Sequence, residues 1–468
     1  MKKAIELAIL PEPPIFEEVA PVFLSDATMS QRKQSVLERM AAEEFDTLVI
    51  YADKEHGSNF EYLTGFLPRF LPRFEEGLLV LDKTGAATLI LGNENLKLQA
   101  HSRIAAELVH YPQFSLPNQP MTGEKSLSSV FSSLRFKEKK KIGIIGWKMF
   151  TTHHEDPATL FDVPYFIVDA VKRAVTRTCH VVNAAYLLIG EKGSRSHNNA
   201  NEIAHYEYGA NLSSRCILSA MNAIEVGKKE AEIGAYLLAE GQMPSVVPIA
   251  ASGKRFEFAN LYPTHKRIAL GDPFSMTIGY KGGLSSRTGF VVSEASQLPA
   301  EQQDYLERVV KPYYQAITTW LEAIRINQTG GEMYRLIEEV LPKKSYHWHL
   351  NPGHLVSDDE WMSSPIYADS LTPLESGMMF QVDIIPSVPE YTGVSAEECI
   401  ALADQELRQE LKADYPELWE RITKRKEYLE NCLNIQLSPD VLLLSNTVAY
   451  LRPFYLAKNQ ALRIKKSR

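Results

Sequence analysis

Three short segments in the second half of the chain constrain it more than anything else: Asn351-Pro-Gly-His354, Gly377-Met-Met-Phe-Gln-Val-Asp383 and Ala396-Glu397-Glu398. Each sets a histidine or a carboxylate beside a glycine turn or at the end of an apolar run. Met378–Val382 and Ile400–Leu402 read as strands. Between the first two segments, Asp358-Asp359-Glu360-Trp361 adds a tightly local acidic motif. It reads either as a solvated loop or as an attractor for a cationic, guanidinium-like ligand. If these carboxylates and His354 converge on one pocket, mutual repulsion raises some of their pKa values and creates an acid–base pair.

A chain of 468 residues exceeds one compact core, so two domains are expected. Residues 1–175 read as an α/β domain and residues 176–468 as a second, larger one. Hydrophobic residues at 45% and charged residues at 23% are ordinary for a soluble globular protein. A net charge of -8 argues against nucleic-acid binding. The lysine runs at 137–141 and 465–468 read as solvated surface. Cys179, Cys216, Cys399 and Cys432 are scattered, which fits a reducing cytoplasm better than a disulfide framework. The N-terminal apolar run is broken by Glu6 and stopped by Pro11, short of a secretory h-region. No window approaches the ~18 apolar residues of a membrane span.

Along the first domain, residues 30–44 carry Val36, Leu37, Met40 and Ala41 at helical spacing, and Thr47–Tyr51 reads as a buried strand. Gly77–Leu81 and Ala86–Leu91 flank Asp82-Lys-Thr-Gly85, a hairpin signal. Ile142–Ile145 is a further strand. The duplicated Leu-Pro-Arg-Phe at 67–70 and 71–74 reads as a proline-stiffened surface loop or a lip over a site. In the second domain a polar stretch, 191–200, precedes a helix starting near Glu202. Phe274–Ile278 and Gly289–Val292 read as strands, as does Val441–Leu444. Residues 405–435 read as charged helix with Leu407, Leu411, Leu418, Ile422 and Leu429 as the buried stripe.

With Gly271-Asp272, the segments above occur in the order found in the pita-bread superfamily, which holds methionine aminopeptidases, proline-specific peptidases (aminopeptidase P and prolidase) and creatinase. The chain resembles that superfamily. The segment from Tyr51 to Phe66 resembles the N-terminal domain of the creatinase and prolidase branch. The resemblance implies an α/β fold, with a creatinase-like N-terminal domain followed by a pita-bread domain. It also implies a homodimer. The peptidases of the superfamily use two Asp, one His and two Glu to hold two metal ions, because two adjacent dications need bridging carboxylates between them.

Carried over residue by residue, His354 stands at the histidine ligand, Asp383 at the first glutamate and Glu397 at the second, with Glu398 beside it. The first aspartate, six residues after Gly271, is replaced by Thr277. With Arg287-Thr288 as anchor, the second falls on Leu284. No aspartate occurs between Asp272 and Asp304, so no shift of register supplies the pair. His354, Asp383 and Glu397 then read as a satisfied polar cluster, or as the set for one weakly bound divalent ion such as Mn or Zn. A creatinase-like histidine base, eleven residues before Gly271, is replaced by Asn260, an amide that cannot take a proton at neutral pH. His265, five residues later, reads as a surface histidine. Trp361 replaces a second family histidine and reads as a wall of the pocket.

These readings imply a hydrolase of C–N bonds, of Xaa-Pro peptidase or creatinase type, working without the dinuclear centre and without a cofactor. His354, Asp383 and Glu397 would be its catalytic residues, with Arg287, Trp361, Asn260 and Glu398 around the substrate. The alternative is a catalytically inactive relative that binds a small molecule or a short peptide. Neither reading involves nucleic acid or a membrane.

Overall fold

The computed structural model describes residues 3–53, 56–65, 75–123, 125–258 and 260–466. The duplicated Leu-Pro-Arg-Phe lies outside them. The chain forms two compact units. One is Leu24–Ser196. The other is His197–Arg468 together with the segment that ends at Phe23. The division expected at residue 175 therefore moves to 196, and the chain's start changes sides. Both shifts have a cause in strand pairing. β1 (Ile5–Ile9) pairs antiparallel with the distant Gln460–Ile464, a contact that no local pattern announces. His180–Asn183 adds a last strand to the first sheet beyond residue 175.

The 24–196 unit is built on one six-stranded sheet. Its strands are β2 (Thr47–Ala52), β3 (Gly77–Asp82), β4 (Ala87–Leu91), β5 (Glu107–His110), β6 (Lys141–Ile145) and β7 (His180–Asn183), in the order β5-β4-β3-β2-β6-β7. β2 is buried along all six residues, as an unbroken Thr-Leu-Val-Ile-Tyr-Ala run requires between two covered faces. The hairpin β3–β4 turns where Asp82 accepts from the Thr84 amide at 3.0 Å. The helix Asp26–Ala42 is capped by Ser25, whose side chain accepts from the Thr28 amide at 3.1 Å, and it buries Val36 and Met40. Ala41 is exposed, so the buried stripe is narrower than the spacing suggests.

The other unit carries three sheets. β8 (Ile249–Ser252), β9 (Pro273–Tyr280), β10 (Gly283–Phe290) and β13 (Ser395–Glu397) form one, in the order β13-β10-β9-β8. β11 (His354–Leu355), β12 (Met379–Gln381), β14 (Cys399–Leu402) and β15 (Val441–Leu443) form the second, in the order β11-β12-β14-β15. β1 and β16 (Gln460–Ile464) form the third. All their pairings are antiparallel. The long helix Ala200–Ala223 packs on β9 and β10. It opens on a capping box in which Asn199 and Glu202 bond each other's backbone amides. The charged 405–435 stretch is two helices, Gln405–Asp414 and Pro416–Tyr428, followed by a turn. Pro416 breaks it, because the residue before a proline is driven out of helical geometry. All five leucine and isoleucine positions of the expected stripe are buried. Among the described residues no helix is long and apolar enough to cross a membrane.

Candidate functional site

The site grows from the hairpin β9–β10. Gly282 closes it at φ 107, and a Cβ there would lie 2.1 Å from the Tyr206 carbonyl, so only glycine fits. The register that follows sets Thr277 opposite Ser286, and Ser286 opposite Glu397 of β13. Thr277 Oγ1 donates to Ser286 Oγ at 2.8 Å. Three side chains thus stand in a row across one sheet face, two hydroxyls and one carboxylate. Leu284 faces Gly279 instead. The strand position facing Thr277 is therefore Ser286 and not Leu284. The two-residue turn carried that signal, while the Arg287-Thr288 anchor pointed two residues away. A dinuclear metal centre does not fit this row. Where two adjacent ions would need carboxylates, the row offers two neutral hydroxyls that satisfy each other.

β11 and β12 bring in the histidine. Gly353, at φ 112 and packed against Trp320, turns the chain so that His354 pairs with Gln381. Asp383 follows two residues after Gln381 on the same face. His354 is fully buried. Its Nε2 lies 3.2 Å from Glu360 Oε1, 3.9 Å from Glu397 Oε1 and 4.0 Å from Asp383 Oδ2. The Glu360 contact is an ion pair set off line, so Nε2 makes no aligned hydrogen bond. Trp361 stacks on the imidazole with ring centroids 4.0 Å apart and planes at 25°. Gln381 Nε2 donates to Leu284 O at 2.9 Å and reaches Glu397 Oε1 at 3.4 Å, which leaves its own buried Oε1 without a donor.

Electrostatics follow from one imidazole facing three carboxylates. Burial alone would hold His354 down, but Glu360 and Glu397, with Asp383 behind them, push it up to about 10. Burial raises Asp383 to about 6, with the imidazolium opposing and Glu360 assisting. Burial, with Asp383 second, lifts Glu397 well above the carboxylate range. His354 is therefore an imidazolium near neutral pH. Because its folded pKa lies above the usual value of 6.5, its stabilisation is complete below that value and is lost as pH rises through about 10. The expected result in a nuclear magnetic resonance titration is an imidazole that keeps both ring protons between pH 5 and 8, with only the small shift that Asp383 imposes as it titrates near 6. A midpoint near 6.5 would show that the carboxylates do not hold the proton.

Four of the anticipated residues are gathered here: His354, Asp383, Glu397 and Trp361. Glu360, anticipated only as one acid in a local motif, is the carboxylate nearest the histidine. Three others need correction. Arg287 is buried and spends all five donors: on Glu398 Oε1 and Thr447 O at 2.6 Å each, Ser286 O at 2.7 Å, Tyr450 O at 2.9 Å and Glu397 O at 3.4 Å. It has no donor left for a substrate carboxylate. Glu398 is equally closed, accepting from Arg287, from the Thr447 hydroxyl and from Ser285 Oγ at 2.8 Å. Asn260 is exposed and accepts from Arg255 at 3.0 Å, away from the histidine's contacts. His265 is exposed, as expected. Asp358 is turned toward Tyr206, whose hydroxyl donates to it at 3.0 Å. The ligand atoms of His354, Glu360 and Glu397 lie within 4.8 Å of one another, close enough to hold one cation.

Residues 204–404 match the model of Metallopeptidase family M24. The Xaa-Pro dipeptidase of Pyrococcus furiosus is 24% identical over 214 residues, a match that spans 43% of this chain and 59% of that protein. The folds agree over more of the chain. An Xaa-Pro dipeptidase from Bacillus anthracis superposes with a TM-score of 0.60 at 18% identity, covering 81% of this chain and 96% of that one. The prolidase from Pyrococcus horikoshii OT3 gives 0.59 at 20% identity, over 80% and 95%. The X-Pro aminopeptidase from Thermotoga maritima MSB8 gives 0.58 at 17%, over 80% and 95%. At these identities the likeness is one of fold. The M24 match lies on the unit that carries His354, and the chain shares the fold of these solved structures over 80–81% of its length.

Proposed function

We propose that this chain is a binding relative of the Xaa-Pro dipeptidases, one that takes the cationic end of a small molecule or short peptide at the His354 cluster and does not perform dinuclear hydrolysis. The observation that carries this reading is the Thr277–Ser286 hydroxyl pair beside Glu397, where two ions would need carboxylates. What remains around His354 is rich in acceptors. Glu360, Asp383, Glu397 and the unpartnered Gln381 Oε1 favour a ligand that brings positive charge and donors. Trp361, partly exposed and stacked on His354 by one face, supplies a face on which such a cation rests. Metal-free C–N hydrolysis is less well supported. Asn260 offers no base, and a protonated His354 can donate a proton but not accept one.

The test compares Xaa-Pro dipeptides with a free amine against their N-acetyl forms, by thermal shift and by proline release. A rise in Tm with the free amine alone, without release of proline, is expected. Metal-dependent release of proline would overturn the reading. A second reading, one divalent ion on His354, Glu360 and Glu397, is favoured by their 4.8 Å grouping. Such an ion would supply a Lewis acid. Dialysis after loading with Mn²⁺ or Zn²⁺ would then retain one ion per chain in the wild type and none in His354→Ala.

A further inference from the structure

Residues 10–23 belong to no helix or strand, yet they run the length of the Ala200–Ala223 helix in the opposite direction. They carry Pro11, Pro13, Pro14 and Pro21, and prolines favour an extended backbone with few donors. The rest of the unit grips the arm mostly by its carbonyls. Tyr428 donates to Pro11 O at 2.7 Å, Asn211 to Phe16 O at 3.0 Å and Arg215 to Glu17 O at 2.6 Å. Farther along the helix, His205 Nδ1 donates to Val22 O at 2.6 Å and Asn201 to Phe23 O at 3.1 Å. Two side chains give the arm its register. Glu12 pairs with Arg452 at 2.7 Å and accepts from Asn222 at 3.3 Å. The Phe16 ring lies 5.2 Å beneath the Arg425 guanidinium.

Leu10 and Pro13 are buried and Val22 packs on the core, but the middle of the arm lies loosely on the unit. Ile15 and Phe23 are exposed, and a cleft of about 430 Å³ opens between arm residues 15–19 and Glu417, Glu420 and Lys424. The C-terminal end of the arm is linked to the loop of the ligand cluster through the helix. His205, which holds Val22, meets Tyr206 edge-on with ring centroids 5.2 Å apart. The Tyr206 hydroxyl donates to Asp358 Oδ2. Asp358 opens the loop that brings Glu360 and Trp361 onto His354.

We propose that residues 10–23 are a detachable latch whose seating on the Ala200–Ala223 helix holds the Asp358–Trp361 loop in place, and so regulates ligand access to the His354 cluster. Only the last clause rests on the proposed function. Charge and ring contacts at Glu12 and Phe16 set the latch, and backbone carbonyls carry most of the remaining grip. The helix residues His205 and Tyr206 pass its state to the loop.

The test reads hydrogen exchange at Ser357 and Met362, whose amides bond Asp359 O and Leu355 O. This readout needs no ligand. Three forms of the full chain are compared: the wild type, the double variant Glu12→Gln with Phe16→Ala, and a chain cut after folding at a specific-protease site placed between Phe23 and Leu24. Exchange at Ser357 and Met362 is expected to accelerate at least about fivefold in the variant and in the cut chain once the arm is washed away. Amides of the Gly330–Val340 helix, which is not packed on residues 3–23, should stay unchanged, and a synthetic peptide of residues 3–23 should restore slow exchange. Unchanged exchange at both amides would overturn the latch. So would equal acceleration throughout the unit, because the arm would then be part of the cooperative core. If exchange responds while no free-amine peptide binds in any form, the latch stands and the ligand reading falls.

Discussion

Arg287→Ala is expected to cost about 3–5 kcal/mol of folding stability, the penalty for leaving one partner of a buried ion pair uncompensated. Glu398, fully buried, would lose its guanidinium, and the carbonyls of Ser286, Glu397, Thr447 and Tyr450 would lose their donors at once. These acceptors come from β10, β13 and the 447–450 turn, so the guanidinium ties together segments that share no strand pairing with one another except β10 with β13. Arg287→Lys should recover little, since an ammonium presents three donors where five are used. Chemical denaturation of the two variants measures the effect. A midpoint near that of the wild type, with ligand affinity selectively lost, would return Arg287 to a role in substrate binding.

Placing aspartates at both Thr277 and Ser286 is expected to create what the chain lacks, and placing one at Thr277 alone is not. The double variant Thr277→Asp with Ser286→Asp puts two carboxylates face to face across the hairpin, next to Glu397. Without metal, the added charges face carboxylates that burial already holds partly protonated, so Tm should fall. With Mn²⁺ or Zn²⁺ it should recover, by about 2.7 kcal/mol at a hundredfold excess over Kd. Elemental analysis after dialysis should find two ions per chain in the double variant and no more than one in Thr277→Asp. Metal-dependent cleavage of an Xaa-Pro peptide by the single variant would refute the assignment of Ser286 as the second missing position.

Much of the fold was legible in local pattern. The runs at 47–51, 142–145 and 400–402 are strands, and 379–381 within 378–382, because short, largely apolar runs rich in β-branched residues fit a covered sheet. The Asp82–Gly85 turn closes its hairpin because the Asp82 side chain bonds an amide two residues on. The 405–435 stripe is buried because its spacing keeps one face apolar through a break that Pro416 imposes. At the site, His354, Asp383 and Glu397 came from motif order, and Trp361 from its spacing seven residues after His354.

The sequence by itself determined that no aspartate lies between Asp272 and Asp304, and that His354, Asp383 and Glu397 follow on segments that read as strands and turns. Composition and order decide those matters, and folding cannot change them. Only the tertiary structure decided which residue faces Thr277, because Ser286 meets it through hairpin register and not through distance from an anchor motif. It alone showed Arg287 and Glu398 as a closed buried pair, since a donor is free or spent according to acceptors that lie up to 163 residues away. It alone turned Glu360 toward His354 and Asp358 toward Tyr206, although the two acids are near neighbours in one loop. And it alone joined the chain's first strand to its last, a pairing between residues at opposite ends of the sequence that no local pattern can encode.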